Sequence, residues 1–416
     1  MKYAIAPISL CALTISLSSA PVAQERSESA TQNDNIEVIT VKGQVFRGVE
    51  SSYSATDITT DEIRYKRVSE INTLLEDVPG MSVIDYGLGG VASSTVIRGF
   101  GNGAHGGDLG VVVDGVPLNE ANSHADGYVD LNVIVPLEIK RMTVFRGPVS
   151  ALYGNFNRGG LLSLETRNAG NYTEADISAG SFDTFDSQLA VGREVSDNQS
   201  YNFAAQHYRT DGFRPQSDAK RNTVSGRGTF QVSPRLDLSL SGRYHETEAK
   251  SAGYTTLSQF ETDPYGIDPR IKNDGADKEF ATIRADAGYS FNSNTKLLTY
   301  AYTTQQDFTR WFTRGSATAE SWRQREETYE RTVYGVGTSL NGSVSIASRK
   351  IAYVAGVEHF SILDGFETEL EKMKTDAVDN AAKEHESILA RAEEDAARIA
   401  ESAQRSIRDE TERARQ

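Results

Sequence analysis

Leu236-Asp237-Leu238-Ser239-Leu240-Ser241 alternates apolar and polar residues at every step. A period of two belongs to an extended strand whose two faces meet different surroundings. The neighbouring sequence repeats the theme. Ala175–Phe182, Phe185–Gly192, Tyr201–Tyr208 and Thr223–Gln231 lie before Leu236–His245, and Thr282–Phe291, Lys296–Thr303, Phe308–Thr313, Thr332–Leu340 and Lys350–His359 follow it. Ser225-Gly226-Arg227-Gly228-Thr229-Phe230 carries a weaker, glycine-rich form. Alternating segments of about ten residues that end in aromatics mark a transmembrane barrel, apolar outward and polar inward. Tyr and Phe at strand ends suit the two membrane interfaces. Short links such as Glu194–Ser200 and Asn292–Asn294 suit periplasmic turns, and long polar ones such as Glu246–Glu279 and Gly315–Glu330 suit extracellular loops. A soluble β-sandwich is the rival, and strand length, low apolar content and loop asymmetry count against it.

Composition agrees. The 416 residues are 38% hydrophobic, with 35 Gly and with 18 Tyr against 2 Trp. At about 150 residues per domain this length predicts two or three domains. The 58 acidic and 43 basic residues leave a net charge of -15, which disfavours a nucleic-acid binder that must replace counterions with a basic face. No stretch beyond the N-terminus is long and apolar enough for a spanning helix, so membrane insertion is by strands. The single cysteine, Cys11, lies in a segment expected to be cleaved, which excludes a disulfide framework and a Cys-ligated metal in the mature chain.

Upstream of the strands, residues 36–167 read as a compact α+β unit. Ile36–Val41 alternates as a short strand. Ser69–Asp77 reads as a helix with Ser69 and Asn72 as candidate caps, ended by Val78-Pro79-Gly80. Met81–Ile84, Thr95–Arg98, Leu109–Asp114 and Ile139–Arg146 read as strands, with Asp114-Gly115 as a tight turn.

The motifs LLEDVPG (74–80), VIRGFG (96–101), VVVDGVPLN (111–119), PLEIKRMTVFRGPVSALYG (136–154) and RGGLLSLETR (158–167) occur in this order. Together they resemble the plug domain of TonB-dependent outer-membrane receptors. The resemblance implies a plug seated inside a barrel of about 22 strands that imports scarce nutrients. It implies a TonB box near the N-terminus. Ile36, Glu37, Val38, Ile39, Thr40 and Val41 stand where that box belongs, in extended, β-branched form able to pair with a partner's edge strand; the alternative is an ordinary first plug strand. It implies that Arg98 and Arg146 meet barrel-wall carboxylates through breakable polar contacts, the alternative being surface arginines. Asn102, His105, Asp108, His124 and Asp126 lie on loops where ligand contacts are expected, against a plain polar-loop reading. The run Gly99–Gly107 lacks the spacing and the Lys-Ser/Thr of a phosphate cradle.

The ends differ in character. Met1–Ala23 has the basic residue, apolar core and small residues of a secretory signal. Residues 364–416 contain 15 acidic and 9 basic residues, with no Gly after Gly365 and no Pro. His385, Ile388, Ala392, Ala396, Ile399, Ala403 and Ile407 step in a 3-4-4 pattern, an 11-residue period that predicts a long helix able to pair with another in a right-handed coil. This tail resembles the stalk helix of ATP synthase b subunits, and its junction at Phe360–Gly365 reads as a fusion.

The expected fold is therefore an α+β plug domain (36–167), an incomplete antiparallel transmembrane β-barrel of about ten strands (168–363) and a long C-terminal α-helix (364–416), after a signal peptide (1–23). The expected function is TonB-dependent outer-membrane transport in a Gram-negative bacterium. Ferric siderophores are the common ligand class, with haem, cobalamin, nickel complexes and sugars also within the family. About ten strands cannot close around such a plug, so the expectation is a truncated receptor, not competent alone. The alternative is a coiled-coil tether carrying a receptor fragment. TonB, outer-membrane lipid and a small iron chelate are the expected partners. No Ser/His/Asp constellation and no His-Glu-x-x-His motif occurs, so neither an enzyme nor a resident metal or cofactor is expected.

Overall fold

A computed structural model describes residues 54–85, 93–101, 107–120, 123, 125–149, 155–314, 323–346 and 349–364. The leader, the candidate TonB box Ile36–Val41, the loop residues Asn102, His105 and His124, and the tail from 365 onward lie outside them.

The plug opens with β1 (Ala55–Thr59) and α1 (Thr60–Lys66). Glu62 starts α1 by accepting hydrogen bonds from the Thr59 N–H at 2.7 Å and the Thr59 hydroxyl at 2.9 Å, which holds its carboxyl below the usual range. A short helix α2 (Ile71–Leu75) follows, then β2 (Met81–Asp85), β3 (Ser93–Ile97), β4 (Leu109–Val113), β5 (Val116–Pro117), β6 (Ile139–Phe145) and β7 (Gly160–Thr166). The plug sheet has the order β1-β6-β7-β4-β5, with β4 parallel to β7, while β2 and β3 form a separate hairpin. Asp114 (φ 50) and Gly115 (φ 85) are the two-residue link of the β4–β5 hairpin, both left-handed as such a tight link requires. Every residue of β4 is buried, and Leu162, Leu164, Ile139, Met142 and Val144 pack with it into one core shared with Leu74 and Leu75 of α2.

Two helix readings are corrected. The helix expected over Ser69–Asp77 is only Ile71–Leu75, and neither Ser69 nor Asn72 caps it. The Ser69 carbonyl is taken by Gln206 and Arg221, and the Asn72 amide donates to Ser93 at 2.8 Å. Both residues are instead tied to distant partners, Ser69 through its backbone carbonyl and Asn72 through its amide NH2.

The wall is a nine-stranded antiparallel meander in sequence order. Its strands are β8 (Tyr172–Ala179), β9 (Phe185–Ser196), β10 (Gln199–Thr210), β11 (Ala219–Ser233), β12 (Leu236–Lys250), β13 (Gly275–Asn292), β14 (Thr295–Arg314), β15 (Arg323–Ile346) and β16 (Arg349–Asp364), with a short helix α3 (Leu257–Thr262) in the β12–β13 loop. The count is nine and not ten because Lys296–Thr303 and Phe308–Thr313 are one strand, paired without a break from Thr295 to Arg314 with β15. The polar run Thr303-Thr304-Gln305-Gln306-Asp307 is strand, not turn.

At the start of β12, over Asp237–Leu240, the apolar-out expectation holds residue by residue. Leu238 and Leu240 are 38% and 56% exposed, while Asp237 and Ser239 are buried at 7% and 6%. Links at one end of the wall are short, as at 197–198 and 293–294, and long at the other, as at 251–274. The long links are shorter than expected, since β12 runs on to Lys250 and β15 begins at Arg323. At about 3.3 Å per residue these strands outreach a hydrocarbon core of about 30 Å. Their ends then have water on the outer face, lose the alternation, and read as loop.

Candidate functional site: the polar seam between plug and wall

The inner face of the wall is polar, and the plug meets it with charge. Each plug carboxylate is placed by a local turn. Asn119 pins the loop after β5, accepting from the Val111 N–H at 2.7 Å and donating to the Leu109 and Gly127 carbonyls. The next residue, Glu120, is tied by its backbone to Tyr128 and Gly127. Asp130 accepts from the Asn132 N–H at 3.0 Å, and Glu138 from the Val135 N–H at 3.1 Å. Asp114 takes the Thr166 N–H at 2.9 Å and the Thr166 hydroxyl at 2.7 Å.

The wall answers with cations at inward strand positions. Lys278 of β13, with its side chain 1% exposed, lies 3.0 Å from Glu120 and 3.2 Å from Asp130. Arg331 of β15 stands 4.0 Å from Glu120 and donates to Gln306 at 3.1 Å. Arg227 of β11 meets Asp114 at 2.6 Å, and Arg243 of β12 meets Glu138. Arg221 reaches Glu70 at 2.8 Å and the Ser69 carbonyl at 2.8 Å, with its guanidinium 4.0 Å above the Tyr208 ring. The charges reverse near the start of the wall. There Arg67 makes a two-pronged contact with Asp176, both bonds at 2.9 Å, and Arg64 lies 3.4 Å from Glu174.

Burial of Glu120 opposes its ionisation, but Lys278, Arg331 and the Ser123 hydrogen bond outweigh that and hold its pKa at about 2. Asp114 is likewise buried, and Arg227, Thr166 and Arg243 still hold it below the usual carboxylate range. Burial, with Asp130 and Glu120 alongside, pushes the Tyr128 hydroxyl well up. Glu120 and Asp114 are thus carboxylates at neutral pH, each facing wall cations. Buried ion pairs of this kind cost desolvation and add little net stability, yet each partner is expensive to leave alone. Such a contact separates when water and new partners reach it. A wholly apolar seat has no comparable way to open.

The residues expected to join plug and wall are not the ones that do so among the described residues. Arg98 is exposed and donates to the Arg146 carbonyl at 3.2 Å, and Arg146 donates to Ser54 at 2.9 Å and Thr56 at 2.6 Å. Both contacts stay within the plug, and its carboxylates carry most of the seam instead. The signal was present as Arg221, Arg227, Arg243, Lys278 and Arg331, charged residues at the inward phase of alternating strands. Of the loop candidates, Asp108 accepts from the Gly101 N–H at 3.2 Å and pairs with Arg158, and Asp126 is exposed. The structure brings their loops together, since a Cβ at Gly107 would overlap the Asp126 carbonyl.

Comparison with known proteins finds similar chains. Residues 47–161 match the TonB-dependent receptor plug domain. The chain is 29% identical over 210 residues to a vitamin B12 transporter, BtuB, of Vibrio vulnificus (strain YJ016), covering 50% of this chain and 33% of that one. It is 23% identical over 266 residues to a hemin receptor of Yersinia enterocolitica, covering 60% and 37%. The chain thus spans roughly a third of the length of these curated relatives. Among solved structures, the ferric citrate transporter FecA superposes with a TM-score of 0.65 at 15% identity, over 74% of this chain and 47% of that one. P. aeruginosa FpvA bound to a pyoverdine superposes at 0.58 with 18% identity, over 76% and 43%. The matched proteins are transporters and receptors, not enzymes. Residues 47–161 thus match the TonB-dependent receptor plug domain, and the strands that follow share their fold with the matched solved structures.

Proposed function

We propose that this chain serves TonB-dependent uptake of a scarce nutrient across the outer membrane of a Gram-negative bacterium, with a ferric siderophore as the ligand class. The observation that supports it is the ionised seam: a plug held to an inside-out sheet by contacts that exchange for water. In this reading Met1–Ala23 directs export, and Ile36–Val41 pairs as a strand with TonB on the periplasmic side. Ligand sits on the opposite face near Asn102, His105, Asp108, His124 and Asp126. A pull on the N-terminal segment then transfers the seam carboxylates from their wall cations to water, and the ligand passes. No bond in the ligand is made or broken.

The names of the relatives set the competitors, vitamin B12 and hemin. Purified chain in detergent, titrated with a ferric siderophore, hemin and cyanocobalamin and followed by intrinsic fluorescence, is expected to bind the siderophore most tightly. Tighter hemin or cobalamin binding would replace the ligand and keep the transport reading. For the partner, the periplasmic domain of TonB is expected to be retained by immobilised chain and lost with Val38→Pro, which removes a pairing N–H. Retention unchanged by that substitution would move the TonB contact elsewhere.

A further inference from the structure

A cavity of about 60 Å³ lies in the seam, with room for about four water-sized guests. It is lined by Asp114 and Glu138 of the plug, by Arg167 where plug passes into wall, and by Asn202, Arg227 and Arg284 of the wall. Its acceptors are engaged. Both Asp114 oxygens accept from Thr166, and one also from Arg227. One Glu138 oxygen accepts from the Val135 N–H and Arg243, the other from the Ser225 hydroxyl.

Its donors are not all engaged. Arg167 Nε, Asn202 Nδ2, Arg227 Nε and Arg284 Nη1 are buried without a hydrogen-bond partner among the described residues. These four side chains belong to residues that are 9% exposed for Arg167, 8% for Asn202 and 4% for Arg284, with the Arg227 side chain at 9%. An unmet buried donor is costly, and hydrogen bonds from charged donors are the strong kind. Water would accept from these groups, but a charged acceptor makes the stronger bond to a guanidinium. A guest that only accepts meets the need directly.

We infer that this cavity binds a small inorganic anion, a halide or compact oxyanion, which bridges plug and wall. Gluconate, bulky and weakly coordinating, is the reference anion. The site is separate from any ligand on the outward loops and does not depend on which nutrient is carried.

The test uses the full chain folded in detergent. Its thermal unfolding is compared in sodium chloride, sodium phosphate and sodium gluconate at equal ionic strength. A saturable rise of a few degrees in chloride or phosphate over gluconate is expected. Asn202→Asp keeps the oxygen that accepts from the Tyr172 hydroxyl at 2.9 Å and places a fixed negative charge in the cavity. It is expected to unfold in gluconate at the temperature of the unaltered chain in chloride, with no further anion dependence. Bromide in place of chloride supplies a readout independent of any substitution. Anomalous diffraction from bromide-grown crystals is expected to show a peak between Arg227 and Arg284. Equal stability in chloride and gluconate, or a cavity without a bromide peak, overturns the inference.

Discussion

Plug and wall obey opposite rules of burial. In the plug, Leu74, Leu75, Leu161 and Leu162 are 0% exposed, and the buried carboxylates Glu120, Asp130 and Glu138 face the wall. In the wall, Leu240, Ile283 and Val357 are 56%, 59% and 69% exposed, while Asp186, Arg221, His245, Lys278 and Arg284 are buried. One region gathers its apolar side chains inside, the other turns them outward and lines its inner face with charge. The difference shows that burial alone does not say what stabilises a residue. A leucine in the plug is held by its neighbours, and one on the wall by the solvent chosen for it.

The largest break in this contrast is expected at the seam. Lys278→Met leaves Glu120 and Asp130 buried without their nearest cation, a loss of about 3–5 kcal/mol. Protease sensitivity of the plug during heating should appear at a clearly lower temperature, and Lys278→Met with Glu120→Gln should recover part of it. An unchanged profile would mean that the seam does not hold the plug.

Acid probes the same pair without a substitution. Glu120 keeps its charge down to about 2, below the ordinary Glu value of about 4.3. Its contribution is complete above the ordinary value and is lost as pH falls through the folded value. Asp114, also lowered, adds in the same direction. Plug protection should therefore decline between about pH 4.3 and 2, the span between those carboxylate values, and Glu120→Gln should flatten that decline.

The contrast in apolar burial is sharpened by two matched truncations. Leu162→Ala opens a cavity in the plug core and should cost about 2–5 kcal/mol. Leu240→Ala, facing detergent or lipid, should stay within about 0.5 kcal/mol in micelles. Denaturant midpoints of the two variants in one detergent measure the difference, and equal midpoints would remove the distinction between core and lipid face.

The smallest effect is expected where the seam rule does not apply. Lys250 and Asp218 pair at 3.0 Å with side chains 58% and 44% exposed, so Lys250→Ala should change stability by less than about 1 kcal/mol. A loss comparable to that of Lys278→Met would show that burial is not what gives the seam its weight.

Much of the wall was legible because a strand in a membrane separates its faces so sharply. Leu236–Ser241 could be read as apolar-out from alternation alone, and its strand direction, face and neighbours follow. The polar continuations, Glu246–Lys250 and Arg323–Glu330, were not legible as strand, since their outward positions carry charged and polar residues and the apolar alternation is lost. In the plug, β4 was legible as a buried apolar run and Asp114-Gly115 as its turn. Helix α2 was overextended because Ser69 and Asn72 are cap-type residues, and no local pattern ties Ser69 to Gln206 and Arg221 or Asn72 to Ser93. Among the described residues Arg98 and Arg146 bond within the plug, because pairing with the wall depends on which side chains its strands turn inward.

By itself the sequence determined that one part of this chain is an ordinary core and the other an inverted one, because hydrophobic periodicity records the solvent on each face. Only the tertiary structure decided which charges meet. Glu120 and Lys278 are 158 residues apart, and Asp114 and Arg227 are 113 apart. No local pattern links positions so distant. Their contact depends on how the plug turns against the wall, and that placement turns scattered carboxylates into the seam that holds it.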